Sequence, residues 1–199
     1  VIFMQEESGV TTLTFQDERF PSQLKRIGSD CPPMIHCLGD MSLLAPKGNR
    51  IAIIGARAAS PSGLKKAYEL GKQFAEEGNI IVSGLALGCD KAAHEGCLDV
   101  GGRTIAIVAS GLNIVYPKEN DSLQQRILET GGLILSEQPF GVKANPTRLI
   151  ARNRLQAALS STVILAESPQ QSGSMHTMRF ARKYHNLKSS KHETRFYFF

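Results

Sequence analysis

Six basic side chains stand where loops meet expected helices. Arg57 lies in RIAIIGARAASPSG, Lys118 in NIVYPKEN, and Lys143, Arg148, Arg152 and Arg154 in SEQPFGVKANPTRLIARNRL. The chemistry open to them is phosphate binding. A guanidinium holds a phosphate through two parallel hydrogen bonds, and a lysine adds a point charge. Arg57 is the most pointed case. An apolar β-branched run, a turn at Gly55 and a helix start would open a dinucleotide site, but such a site needs bare backbone against pyrophosphate. Here a long cation fills the turn. Ser60 is placed to cap the next helix with Pro61 at its first position, so the helix start offers N–H groups to an anion. The other reading of this loop is a capped helix with a solvated arginine.

A dinucleotide site wants an acidic residue after the second strand to hold ribose. SGLALGCDKAAHEG has Ser83 and Gly84 there, which argues against NAD. Gly84 and Gly88 allow close backbone approach, and Asp90 is expected to cap a helix. Ser83, Asp90 and His94 offer a Ser/Asp/His set. No G-x-S-x-G elbow supplies a nucleophile, so a structural turn with a packed or capping histidine is the expectation. Lys118 and Asn120 precede another helix, and Ser172, Gly173 and Ser174 begin the last one. A charge on one loop is ordinarily solvated surface. Basic groups that recur on the first, third and fourth loops, with helix starts between them, fit a polyanion crossing one edge of the domain better than a compact nucleotide.

These loops need elements to hold them. RIAIIG, NIIVSG, RTIAIVAS, LILSE and TVILAE are apolar runs of strand length without polar alternation, as in strands buried on both faces. Helical patterns separate them: LKKAYELGKQFAEEG, DKAAHEGCLDVGG, NDSLQQRILETGG and ARNRLQAALS, with SGSMHTMRFARKYHN last. Alternation over short loops predicts an α/β fold, a doubly wound, mainly parallel sheet with helices on both faces. Right-handed crossovers then place the strand-to-helix loops along one carboxyl edge. Residues 1–49 carry Pro21, Pro32, Pro33 and Pro46 and read as an irregular extension with one or two short helices. The core spans 50–187, and 188–199 is a divergent tail.

The 199 residues are 42% hydrophobic and 21% charged, a globular composition, with a net charge of +5 that permits a polyanionic partner. Cys31, Cys37, Cys89 and Cys97 form no C-x-x-C pair. They are expected to be reduced thiols in the cytoplasm, and no metal site is expected. No apolar run reaches membrane-span length and no signal-peptide pattern is read.

The ordered set GARAAS, SGLALGCDKAAHEG, GGRTIAIVASGLNIVYPKEN, LILSE, ARNRLQAALS and SGS resembles the DprA/Smf DNA-processing family, from about Phe20 to about Ala181. The resemblance implies a Rossmann-like fold in a cytoplasmic homodimer. It implies binding of single-stranded DNA and its transfer to a RecA-type recombinase in natural transformation, with no cofactor and no catalytic step. Arg57 and Lys118 match family positions expected to hold DNA phosphates. Gly84, Arg152, Asn153 and Arg154 match positions lining the same groove. The expected DNA-contacting set is Gly55, Arg57, Ser60, Ser83, Gly84, Lys118, Asn120, Lys143, Arg152, Asn153, Arg154, Ser172, Gly173 and Ser174.

Three features depart from the family pattern. Leu149 and Ile150 replace a Phe-Pro pair, removing one aromatic platform. The end YHNLKSSKHETRFYFF replaces a G-R-x-V-F-A-V-P-G strand, with RFYFF as a candidate substitute. Many members carry a further helical or winged-helix-like domain, and the 199 residues contain neither. The competing readings are a nucleotide-binding sensor and a phosphoribohydrolase-like enzyme acting on nucleoside monophosphates. The second would show P-G-G-x-G-T-x-x-E, where this chain has SGSMHT, and Glu167 reads as a strand-end residue rather than a general base.

Overall fold

A computed structural model of the chain describes residues 8–45, 47–168, 173–185 and 195–198. The strands are β1 (Thr11–Thr14), β2 (Met34–Gly39), β3 (Arg50–Ile54), β4 (Ile80–Ser83), β5 (Thr104–Val108), β6 (Leu133–Ser136), β7 (Thr162–Leu165) and β8 (Arg195–Phe198). The α-helices are α1 (Ser22–Lys25), α2 (Pro61–Glu76), α3 (Cys89–Asp99), α4 (Asp121–Glu129), α5 (Pro146–Leu159) and α6 (Ser174–His185).

Successive residues of the central strands face opposite helix layers. In β3, Ile51 and Ile53 join Ala67 of α2 and Ala93 of α3, while Ala52 and Ile54 join Leu155 and Leu159 of α5 and Met178 of α6. In β5, Ile105 and Ile107 face the α5 side, whereas Ala106 and Val108 pack with Leu123 and Ile127 at α4. Both faces are covered, so neither needs polar alternation. The fold is a doubly wound α/β fold.

The single sheet runs β1-β2-β6-β5-β4-β3-β7-β8. From β6 through β8 every pairing is parallel, and β1 and β2 add antiparallel strands at one end. The five expected strands form the parallel centre. The first four residues of RFYFF form β8, pairing Arg195 with Thr162.

Residues 8–45 differ from the expected irregular extension, because β1 and β2 are built into the sheet. Leu13 and Ile35 are fully buried. The physical reason is tertiary: a short run between Pro33 and Gly39 is held by β6, far along the chain, and the Thr-rich tetrapeptide β1 is held in turn by β2. Arg50 fastens this segment. Its buried guanidinium donates to the carbonyls of Leu43 and Ala45, both at 2.9 Å, and of Leu159 at 2.8 Å.

Two helix starts also differ. α5 begins at Pro146 rather than within ARNR, with the Asn145 side chain accepting from the Arg148 amide at 2.8 Å. Proline stops what precedes it but is at home in a first turn. Gly88, not Asp90, caps α3, with φ +77°. α2 and α3 meet backbone to backbone. A Cβ on Gly71 would lie 2.2 Å from the Ala93 oxygen, and one on Gly96 would lie 2.1 Å from that of Tyr68.

Candidate nucleic-acid interface

The chain winds from β3 outward to β6 and returns with β7 on the other side of β3. The carboxyl ends of β3 and β7 therefore diverge into a crevice, the usual ligand position in such sheets. A cleft of about 510 Å³ lies there. Ile54, Gly55 and Ala56 contribute to it from the end of β3 and the turn after it, and Asn145, Pro146, Leu149 and Ile150 from the cap and first turns of α5. Arg57 and Tyr116 line its mouth, and both also line an adjoining cavity of about 100 Å³ with Leu87 and Pro117.

Buried charge lines the cleft. Arg152 of α5 is 4% exposed. Its guanidinium donates to the Gly84 carbonyl at 2.7 Å, to the Ile107 carbonyl, and through Nε to the Asn153 side chain at 3.2 Å. Burial pushes its pKa down to about 10; the Asp90 charge opposes that shift and the Arg57 charge adds to it. The Asp90 carboxylate accepts from the Gly84 amide at 2.9 Å, and burial pushes its carboxyl up. Gly84 is thus gripped by an acid on its N–H and a base on its C=O. A Cβ there would stand 2.2 Å from Arg152 Nη1.

The next residue, Leu85, has φ +56°. Its carbonyl accepts from the fully buried Asn120 side chain at 2.9 Å. Asn120 is therefore a positioning group beneath the Lys118 loop. Ser83 donates to the Ile53 carbonyl at 2.7 Å, and His94 pairs through Nδ1 with Thr104 Oγ1 at 2.7 Å. Ser83 also acts on the Asp90 carboxyl by a side-chain hydrogen bond, but His94 is held by Thr104, so the three form no relay.

The α2 start is already filled. Ser60 caps the helix by accepting from the Gly63 amide at 3.0 Å, as its spacing predicted. Its own amide donates to Glu167 Oε1 at 2.7 Å and its hydroxyl to Glu167 Oε2. These bonds hold the Glu167 carboxyl below the usual carboxylate range. Sequence reading could not find this contact, because nothing in the spacing links a strand end to a helix start more than a hundred residues away.

Arg154 is also engaged within the fold. It forms a two-pronged pair with Glu137 at 2.7 and 2.6 Å and donates to the Asp30 carbonyl at 2.7 Å. Asn153 donates to the Gly173 carbonyl at 3.1 Å, and Ser174 Oγ lies 3.0 Å from Ser168 Oγ. Gly55 lets β3 approach its neighbours, since a Cβ there would lie 2.5 Å from Cys89 Sγ. Ser172 lies outside the described residues.

The expected cations therefore divide. Arg152 and Arg154 are turned inward, whereas Arg57, Lys118 and Lys143 are exposed. The Arg57 and Lys118 side chains make no hydrogen bond or ion pair among the described residues. An apolar rim accompanies them. Of the five exposed large hydrophobic side chains among the described residues, Leu87, Tyr116 and Ile150 surround these two openings. The sequence signal for Tyr116 was present in VYPKEN, an aromatic on a proline turn beside a lysine.

A profile of the family DNA recombination-mediator protein A matches residues 11–187. Protein Smf of Synechocystis sp. is 37% identical over 174 residues, covering 86% of this chain and 43% of that protein. The X-ray structure of DNA processing protein A (DprA) from Streptococcus pneumoniae superposes with a TM-score of 0.82 at 36% identity, covering 92% of this chain and 63% of that one. A structure of DNA processing protein A from Helicobacter pylori, described for its single-stranded DNA binding mode, gives a TM-score of 0.76 at 36% identity, covering 88% of this chain and 77% of that one. The chain spans about half the length of the curated relatives it matches. With the family profile covering most of its length and a shared fold at this identity, the chain belongs to the DNA recombination-mediator protein A family.

Proposed function

We propose that this chain binds single-stranded DNA across the carboxyl edge of its sheet. Phosphates rest on Arg57 and Lys118, and bases turn toward Tyr116. The observation that carries this reading is the pair of exposed, unpartnered cations beside an exposed apolar rim. Phosphate contacts and a stacking surface together are what a sequence-tolerant single-strand binder uses. The DNA binding for which the Helicobacter pylori relative is described supports the same reading. Lys143 extends the basic rim.

By family membership, the whole protein passes bound strands to a RecA-type recombinase in natural transformation. It works as a cytoplasmic homodimer, and by binding rather than by catalysis. No helix among the described residues is long and apolar enough to cross a membrane.

A salt titration with an oligothymidylate and a duplex of equal length tests the binding. Affinity for the single strand should fall with salt at a log–log slope of about −0.7 per phosphate neutralised. Equal affinity for the duplex, or a slope unchanged in both Arg57→Ala and Lys118→Ala, overturns the reading.

The cleft favours one second reading, a nucleotide sensor or a nucleoside-monophosphate hydrolase. Its 510 Å³ volume and the buried amide nitrogen of the lining residue Gln156, without a partner among the described residues, carry that alternative. Release of free base from nucleoside monophosphates would select it.

A further inference from the structure

We propose that Glu167 determines specificity: it is a resident carboxylate that fills the anion position at the α2 start, excludes free phosphate and mononucleotides, and leaves Arg57 to a polynucleotide. This rests on the single-stranded DNA reading above.

Donor accounting at the helix start supports it. Pro61 has no N–H. The Gly63 amide goes to Ser60 Oγ at 3.0 Å, and the Leu64 amide to the Ser60 carbonyl at 2.9 Å. The Ser60 amide and hydroxyl both go to Glu167. In many nucleotide-binding folds these groups receive the phosphate. Here a side chain from the far side of the switch point has taken them.

Glu167 is held in place. Its own carbonyl accepts from the Ala56 amide at 2.8 Å. One residue therefore spans both ends of the turn that carries Arg57, by main chain at Ala56 and by side chain at Ser60. The fit is close, since a Cβ on Gly63 would come 2.3 Å from Oε2. A phosphate entering this position would meet a like charge, with the Ser60 amide and hydroxyl already used. A mononucleotide has one phosphate group and needs such a local cradle. A polynucleotide carries one charge per link and can be held farther out, by Arg57 and Lys118 together.

The test compares wild type with Glu167→Ala and Glu167→Ser. Each is titrated with inorganic phosphate and with thymidine monophosphate, by calorimetry at ionic strength matched with chloride. Wild type should show no phosphate binding, and the two variants should bind both anions at least tenfold more tightly. Folded variants with no gain overturn the proposal. A second measurement needs no variant: phosphate should not displace oligothymidylate from wild type beyond the effect of matched chloride, and specific displacement overturns the proposal. Oligothymidylate binding by wild type is read separately. Its absence removes the single-strand reading, while phosphate gain in the variants still reports on Glu167.

Discussion

The Arg152 guanidinium and the Gly84 peptide are locked together: Nη1 lies 2.7 Å from the Gly84 oxygen, and the absent Cβ of residue 84 is the space the guanidinium uses. Asp90 holds the same peptide from its N–H side. An acid on α3 and a base on α5 thereby fix the end of β4, and with it the loop beneath Tyr116 and Lys118. The pair is part of the scaffold beneath the proposed interface.

Gly84→Ala should show this directly. The added methyl must displace a buried charged group, an overpacking that costs about 1–3 kcal/mol. The urea midpoint should drop accordingly. An unchanged midpoint would mean that the guanidinium has another place to go.

His94 should make the protein sensitive to acid. Burial, with the Arg152 charge adding to it, pulls the His94 pKa down to about 3. In the unfolded chain a histidine titrates near 6.5, so between these values the unfolded state binds the extra proton. Stability from this group is complete above about pH 6.5 and falls as pH drops toward 3, by at most about 1.4 kcal/mol per pH unit. Urea midpoints across that window should flatten in His94→Gln, and the His94 ring should show no NMR titration between pH 5 and 8.

Cation variants should separate rim from scaffold. Arg57→Ala and Lys118→Ala should each flatten the salt dependence of oligothymidylate binding by about one phosphate contact, with stability unchanged. Arg154→Ala should leave the slope alone and reduce stability by about 1–3 kcal/mol, because it strands Glu137 in a partly buried site. A slope loss in Arg154→Ala would place that side chain on the DNA instead.

Tyr116→Ala should weaken single-strand binding by about 1–3 kcal/mol, the usual worth of one stacked base, at an unchanged salt slope. Tyr116→Phe should retain full affinity, since the ring and not the hydroxyl is used. Fluorescence anisotropy with a labelled oligothymidylate reads both.

Much of this was legible in the sequence. The five central strands announced themselves because burial on both faces removes polar alternation, and Ser60 and Pro61 marked the α2 start through local chemistry. β1 and β2 were not legible, since their stability comes from a partner strand elsewhere in the chain. At the site, residue type alone did not say which cations face outward. Arg152 shares a helix stripe with the buried Leu155, Gln156 and Leu159. That stripe lies wholly within ARNRLQAALS, so helical spacing alone places Arg152 on the apolar side; what no spacing shows is the distant Gly84 carbonyl that receives its guanidinium.

The backbone contact at Gly71 and Gly96 has a kinetic consequence. Two helices that touch through main chain have little freedom to slide, so the turns leading into them, one bearing Arg57 and the other Gly88, are shaped before any ligand arrives. The ordering entropy of these turns is met during folding and not at the moment of capture. Encounter with a strand should then proceed at a rate set by diffusion and long-range charge attraction, without a slow rearrangement step.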